Sequence, residues 1–417
     1  MAGFNGGLFT AYDDAWLIDG VRTPFVDYNG ALAQVSAIDL GIKVARAVFD
    51  RSGVAPEDTG TVIAGSVAQG SFDAYFLPRH IGMYSGVPLD RPALLVQRVC
   101  GTGMEAISQA ADAIALKKIE LGLCVGTESM SRNPVAAFTH RSGFRLGQIE
   151  FKDFLWESLL DTSTDIPMGG TAEAVAKKYK VTREDVDRFA EMSFARALAA
   201  QKQCFLSGEI VPVVNEKFEL KGYKTRGIRL PKGVEKIEAD THIRASSFEV
   251  LSGLPAVFGG VQTGGNSSAI VDGAAAVLVG SGAYVKSKNR KPIARVAAAA
   301  AVGLEPEIMS MGPVPAIRRL LGGAGMTIDQ IDRFEINEAF GAQIIAVERE
   351  LALDRNKLNV NGGAIAIGHP LAATGTRLAL TLARELRRSN VRWGVSSACI
   401  GGGQGIALLL ENTELAA

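Results

Sequence analysis

Residues 93–131 read ALLVQRVCGTGMEAISQAADAIALKKIELGLCVGTESMS. An apolar run at 93–100 has the length of a short buried strand. It gives way at once to a helical pattern in which Met104, Ile107, Ala111 and Ile114 recur at steps of three and four. A second apolar run, LGLCVGTESMS, follows within a few residues. Strand, helix and strand in under forty residues is the unit from which parallel sheets are built, and it predicts an α/β fold.

The pattern extends in both directions. AWLIDGVRTPF (15–25) and TVIAGSVAQG (61–70) supply earlier strands of the first half. The second half repeats the outline. ARVAAAAAVG (294–303), IDRFEINEAF (331–340) and KLNVNGG (357–363) read as strands, and TGTRLALTLARELRR (374–388) as a helix. RWGVSSACIGGGQGIALLLE (392–411) closes it as NSSAIVDGAAAVLVGS (266–281) closes the first. Two comparable halves, 1–280 and 281–417, predict a duplicated fold.

Residues from about 120 to 245 break the rhythm and read as an inserted helical and loop subdomain. The helical pattern at 171–201 is interrupted at Val181–Thr182, where Thr182 can cap the second piece, with Glu184 and Asp185 in its first turn. A charged stretch, KGYKTRGIRLPKGVEK, follows at 221–236.

A chain of 417 residues can bury a large core. Its 44 basic and 44 acidic residues cancel, which argues against nucleic-acid binding. No run is long and apolar enough to span a bilayer, so no membrane insertion is expected. The start MAGFNGGLFTAYDDAW lacks the basic and apolar regions of a signal peptide, and ENTELAA carries no peroxisomal address. Cys100, Cys124, Cys204 and Cys399 form no CxxC pair. Neither a disulfide framework nor a metal site is expected, and a reducing cytoplasm suits such a set.

Four stretches carry residues suited to chemistry. Cys100 ends a strand where a helix begins; helix amides and dipole would favour its thiolate, and Gly101 and Gly103 would let a substrate approach. The same stretch fits an inert core thiol equally well. His369, in GGAIAIGHPLAATG (362–375), is either a base near neutrality or a loop histidine capping a turn. Cys399 precedes three glycines whose N–H groups can form an oxyanion hole, or simply a tight hairpin. Asn337, in EINEAFGAQ (335–343), can hold a water or a carbonyl oxygen, or cap a helix.

Taken in this order, the stretches resemble the thiolase family. VRTPF, CGTGMEAI, GTESMSRNP, MGGTAEAVA, QTGGNSSAIVDGAAA, EINEAFGAQ, NGGAIAIGHPLAATG and CIGGGQG carry the resemblance across nearly the whole chain. It implies two duplicated mixed-sheet halves in an αβαβα arrangement. It implies thiolytic cleavage of 3-ketoacyl-CoA, or Claisen condensation of acyl-CoAs, with CoA and acyl-CoA as substrates and no permanent cofactor. Cys100 would be acylated, His369 would take its proton, and Cys399 would be the second acid/base. Asn337 would hold a water beside the enolate, and the amides of Cys100 and Gly401 would bind the oxyanion. Ser268, Arg244, Met168 and Phe340 would contact acyl-CoA. Lys221, Lys224, Arg226 and Arg229 would either add charge near the CoA phosphates or form a solvated loop. Pro167 stands where short-chain members usually have histidine, which resembles degradative members of broader chain length, as in β-oxidation. Ala269 and LAATG replace a more usual glycine and LGASG. The resemblance further implies a homodimer or homotetramer. A partner subunit handling an unusual acyl group and a non-catalytic acyl-CoA-binding protein are the competing readings. A β-ketoacyl synthase is disfavoured by Cys399.

Overall fold

A computed structural model describes residues 6–68, 70–138 and 140–415. The first half runs β1 (Trp16–Arg22), α1 (Ala37–Ser52), β2 (Thr61–Gly65), α2 (Leu77–Tyr84), β3 (Ala93–Leu95), α3 (Thr102–Ala115) and β4 (Leu121–Glu128). The chain then leaves the sheet, forms α4 (Met168–Tyr179) and α5 (Arg183–Lys202) among loops, and returns as β5 (Val271–Gly280). The second half runs β6 (Ala294–Gly303), α6 (Pro313–Ala324), β7 (Arg333–Ile336), α7 (Gly341–Leu351), α8 (Leu371–Arg388), β8 (Trp393–Ile400) and β9 (Gln404–Glu411).

The two halves share one topology. The first orders its strands β1-β5-β4-β2-β3, and the second β6-β9-β8-β7. A lone parallel bridge from Leu358 to Phe334 takes the place of a fifth strand, so KLNVNGG shrinks to a single pairing. β2 pairs in parallel with β3 and β4, whereas β5 runs antiparallel to β4 and β1. β6 meets β1 through Ala294–Leu17, which joins the halves into one continuous sheet.

Alternation along the strands divides the core into three layers. On β4, Leu121, Leu123 and Val125 face α1 and α2, while Cys124 faces α3. On β5, Ala274, Ala276 and Leu278 face outward, while Val277 and Val279 face the centre. On β9, Ala407 and Leu409 pack toward α6 and α7, while Ile406, Leu408 and Leu410 join the centre. Helices α3 and α8 lie between the two halves of the sheet, with α1 and α2 on one outer side and α6 and α7 on the other. Every residue of β4 and β5 is buried, which is why both read as largely apolar runs without alternation.

The central helices touch backbone to backbone. A Cβ on Gly103 would lie 2.3 Å from the Thr376 amide nitrogen, and one on Gly375 would lie 2.5 Å from that of Met104. Gly103 thus serves helix crossing. Gly101 packs against Ile400 and Ile406 of the facing sheet. Neither clears room for a substrate, contrary to the expectation from sequence.

The inserted stretch begins after Glu128, because residues 121–128 belong to the sheet. Thr182 caps α5 as expected: its side chain accepts from the Asp185 N–H, and the Asp185 carboxylate accepts from the Thr182 N–H. A buried ion cluster ties the insertion to the core. Arg22 of β1 donates through Nε to Glu209 at 2.7 Å and forks onto Asp240 at 2.6 and 2.8 Å. Thr381 of α8 donates to Glu209 at 3.0 Å.

Candidate active site

Cys100 sits on a strained turn. Val99, β-branched, holds φ at +42°, a conformation that costs energy and persists only when its surroundings enforce it. Thr102 enforces it: its Oγ1 accepts from the Arg98 N–H at 2.9 Å and donates to the Val99 carbonyl at 2.7 Å. The Arg98 side chain is held in turn by Glu105 at 2.7 Å and by Gln404 at 3.1 Å. The backbone N–H groups of Cys100 and Gly401 both favour charge on the Cys100 sulfur.

Burial pushes the Cys100 thiol up to about 11; those two amides pull it down, and the Glu128 charge raises it further. The lowering expected from the helix start is overturned, because desolvating the thiolate costs more than two amides return. Cys100 rests as a thiol. Val67, Met130, Leu155, Leu371 and Ala372 form a small apolar cluster against it.

His369 is buried, not a loop cap. Its Nδ1 lies 2.6 Å from Thr374 Oγ1, and Thr374 itself donates to the Pro370 carbonyl. That hydroxyl must therefore accept from Nδ1–H, which leaves the Nε2 lone pair facing Asn337 Nδ2 at 3.3 Å. Burial, with Arg377 nearby, pushes the imidazole down to about 3, so it rests neutral.

Asn337 is not a helix cap, since α7 begins at Gly341 with Phe340 as its N-cap. With its amide nitrogen on His369, its buried Oδ1 finds no hydrogen-bond partner among the described residues. It is a ready acceptor for a water or a substrate group. Cys399, one residue from the end of β8, is buried beside Met309 and Ala339, with Met168 and Phe340 at the edge. Burial raises its thiol strongly and the Cys100 charge adds to this, so the two sulfurs sense one another. After β8 the chain reverses through Gly402 and Gly403, at φ +82° and +80°, a turn that favours glycine. This turn leaves the Gly401 N–H free for Cys100. A Cβ on Gly401 would lie 3.1 Å from Met168 Sδ.

The structure thus brings together Cys100, Gly401, Met168, Cys399, Phe340, Asn337 and His369. Ser268 adjoins them: it is half-buried, with its N–H on the Ala339 carbonyl at 3.0 Å. Arg244 stands apart on the surface, its guanidinium 4.9 Å from the Phe194 ring centroid and its Nη1 2.9 Å from His242 Nε2. Lys221, Lys224 and Arg229 are exposed. Arg226 is already committed to Asp39 at 2.9 Å and Asp73 at 2.8 Å, which removes it from the candidate phosphate contacts.

Sequence reasoning gave no role to Thr374, Glu128 or Glu338. Glu338 accepts from Ser193, Asn359 and the Ile365 N–H, and so holds the turn that leads to His369. The available signal was a charged residue at the end of an apolar strand, as in LGLCVGTE and RFEINE. No described group of three or more His, Cys, Asp or Glu is placed to hold a metal ion, and no described helix is long and apolar enough to cross a membrane.

Comparison with known proteins matches two family models, "Thiolase, N-terminal domain" over residues 15–283 and "Thiolase, C-terminal domain" over residues 290–412. The chain is 42% identical over 402 residues to the mitochondrial 3-ketoacyl-CoA thiolase of Pongo abelii, covering 95% of this chain and 98% of that one. It is 39% identical over 404 residues to the acetyl-CoA acetyltransferase of Cupriavidus necator, covering 95% and 99%. The crystal structure of human mitochondrial 3-ketoacyl-CoA thiolase superposes with a TM-score of 0.91 at 40% identity, over 96% of this chain and 99% of that one. A second structure of the human protein, in complex with CoA, gives 0.90 over 96% and 98%.

Proposed function

The chain belongs to the thiolase family and is an acyltransferase; from that premise we propose that it cleaves 3-ketoacyl-CoAs through an acyl group carried on Cys100. The single observation that carries this reading is the buried chain Thr374–His369–Asn337, at 2.6 and 3.3 Å, which holds a neutral imidazole with Nε2 as its acceptor.

The steps follow from the resting protonation states. As the Cys100 sulfur adds to the C3 carbonyl of the substrate, its proton passes to the neutral Nε2 of His369. The two amides receive the oxyanion. The C2–C3 bond then breaks and its electron pair passes to C2. The resulting enolate oxygen faces the imidazolium of His369 and a water held at Asn337 Oδ1. The Cys399 thiol protonates C2, releasing acetyl-CoA. Incoming CoA gives its thiol proton to the Cys399 thiolate and attacks the acyl carbon. Cys100 leaves and takes its proton back from His369. Condensation is the same path reversed.

An acyl chain longer than acetyl is supported by the apolar cluster of Val67, Met130, Leu155 and Leu371 around Cys100, and by Pro167. Ser268, Met168 and Phe340 are assigned to the acyl-CoA contact surface, and Arg244 to the phosphate end. Two halves, 1–280 and 281–417, are supported by the shared strand order. Homo-oligomeric assembly and a reducing cytoplasmic setting complete the reading, the latter supported by four free cysteines.

Intact-protein mass spectrometry after mixing with 3-ketoacyl-CoAs of graded length tests it. Wild type gains one acyl mass on Cys100, and Cys100→Ser gains none. Absence of acylation on Cys100 in wild type refutes the reading. With a simple acyl-CoA, which needs no proton at C2, Cys399→Ser still acylates on Cys100, yet its thiolysis of 3-ketoacyl-CoA is about 10²- to 10⁴-fold slower; full turnover removes Cys399 from its role.

A further inference from the structure

Glu128 closes β4 with its side chain buried. Its Oε1 accepts from Ser66 Oγ at 2.8 Å and from the Ala68 N–H at 3.2 Å. Its Oε2 accepts from the Val67 N–H at 2.9 Å and from the Ala372 N–H at 3.0 Å. Four donors converge on two oxygens, an arrangement that fits an acceptor-only carboxylate and disfavours an amide. The donors come from two places that matter. Val67 lies in the apolar cluster against Cys100. Ala372 lies in the first turn of α8, three residues beyond His369, where an unsatisfied N–H and the positive helix end both favour an anion.

The duplication gives this position a second meaning. Gly65 pairs with Gly126 in the first half as Ile336 pairs with Ser397 in the second. One residue past the first member lie Ser66 and Asn337; two past the second lie Glu128 and Cys399. Cys100 and His369 each stand two residues before their central helix. Ser66, Cys100 and Glu128 are thus the counterparts of Asn337, His369 and Cys399. Where the second half has a proton carrier, the first has a carboxylate saturated by hydrogen bonds.

We propose that Glu128 is a positioning residue for acylation: its buried carboxylate fixes the start of α8, and through it His369, against the wall of the Cys100 pocket. This rests on the reading of Cys100 as the acylated nucleophile. The same charge disfavours a resting thiolate on Cys100; burial raises the Glu128 carboxyl itself while its four donors pull it down, and Cys100 in turn raises the Cys399 thiol.

Glu128→Gln is the test. Its amide must turn a donor toward the Ala68 N–H or toward the pair from Val67 and Ala372. The acylation rate at saturating 3-ketoacyl-CoA falls about 10- to 100-fold, the scale that a misplacement of about 1 Å produces. KM changes by less than about twofold, since the substrate contacts remain. The pH midpoint for iodoacetamide alkylation of Cys100 moves down, a shift that a purely structural role would not give. A wild-type acylation rate, or an unmoved midpoint, overturns the proposal. If circular dichroism shows the variant unfolded, Ser66→Ala carries the test, because it removes one donor and keeps the charge. Slower acylation at constant KM supports the proposal, and a wild-type rate overturns it. Wild-type protein run alongside separates the two ideas: if it takes up no acyl group on Cys100, the acyl-cysteine reading falls too.

Discussion

His369 ties the protonation state that the proposed mechanism uses to the stability of the fold. Its folded value, about 3, lies below the ordinary value near 6.5 because burial disfavours the imidazolium. The unfolded chain therefore binds the proton first. The stability His369 contributes is fully present above pH 6.5 and is lost as pH falls from there toward 3. Urea midpoints measured from pH 7 to pH 4 fall less steeply in His369→Asn than in wild type. Parallel slopes would contradict a buried neutral imidazole. Cys100 and His369 were both singled out from sequence, but their resting states were not. A helix start suggests a lowered thiol; only the packed surroundings show that desolvation prevails.

At the level of elements, the site depends on how closely α3 and α8 cross. Cys100 precedes one helix and His369 the other, so the crossing sets their separation. Gly103→Ala pushes a methyl group to within 2.3 Å of the Thr376 amide nitrogen. The expected cost is about 1–3 kcal/mol, typical of overpacking, together with a fall in kcat. Gly322→Ala in α6 is the control, since nothing lies within 4 Å of its Cβ position. There the change is neutral or stabilising by up to about 1 kcal/mol. Urea denaturation of both variants checks the contrast. The helix in 102–115 and the strand after it were legible from their apolar patterns, whereas the run at 93–100 shortens to the partly exposed strand Ala93–Leu95, because the turn that carries Cys100 takes up the rest. The purpose of Gly103 was not legible, because a glycine that admits a helix looks in sequence like one that admits a ligand.

At the scale of the whole molecule, the duplication places three counterpart positions of each half around one site, while the insertion is bound to the core through Arg22. Asp240→Ala leaves the Arg22 guanidinium buried without its forked partner, and a loss of about 3–5 kcal/mol follows. Urea denaturation measures it, and proteolysis should then open residues 129–270 first. A loss below about 1 kcal/mol would show the cluster to be incidental. Sequence alone determined the α/β class, and it pointed to two halves, an insertion and the candidates Cys100, His369, Asn337 and Cys399. The class rests on local periodicity, and the candidates on each residue's own chemistry together with the family resemblance. Tertiary structure alone decided that Asn337 faces His369, that Arg226 is taken by Asp39 and Asp73, and that Glu128 spans the halves. These are contacts between residues up to 244 positions apart, and their energies come from burial and geometry that no local pattern encodes.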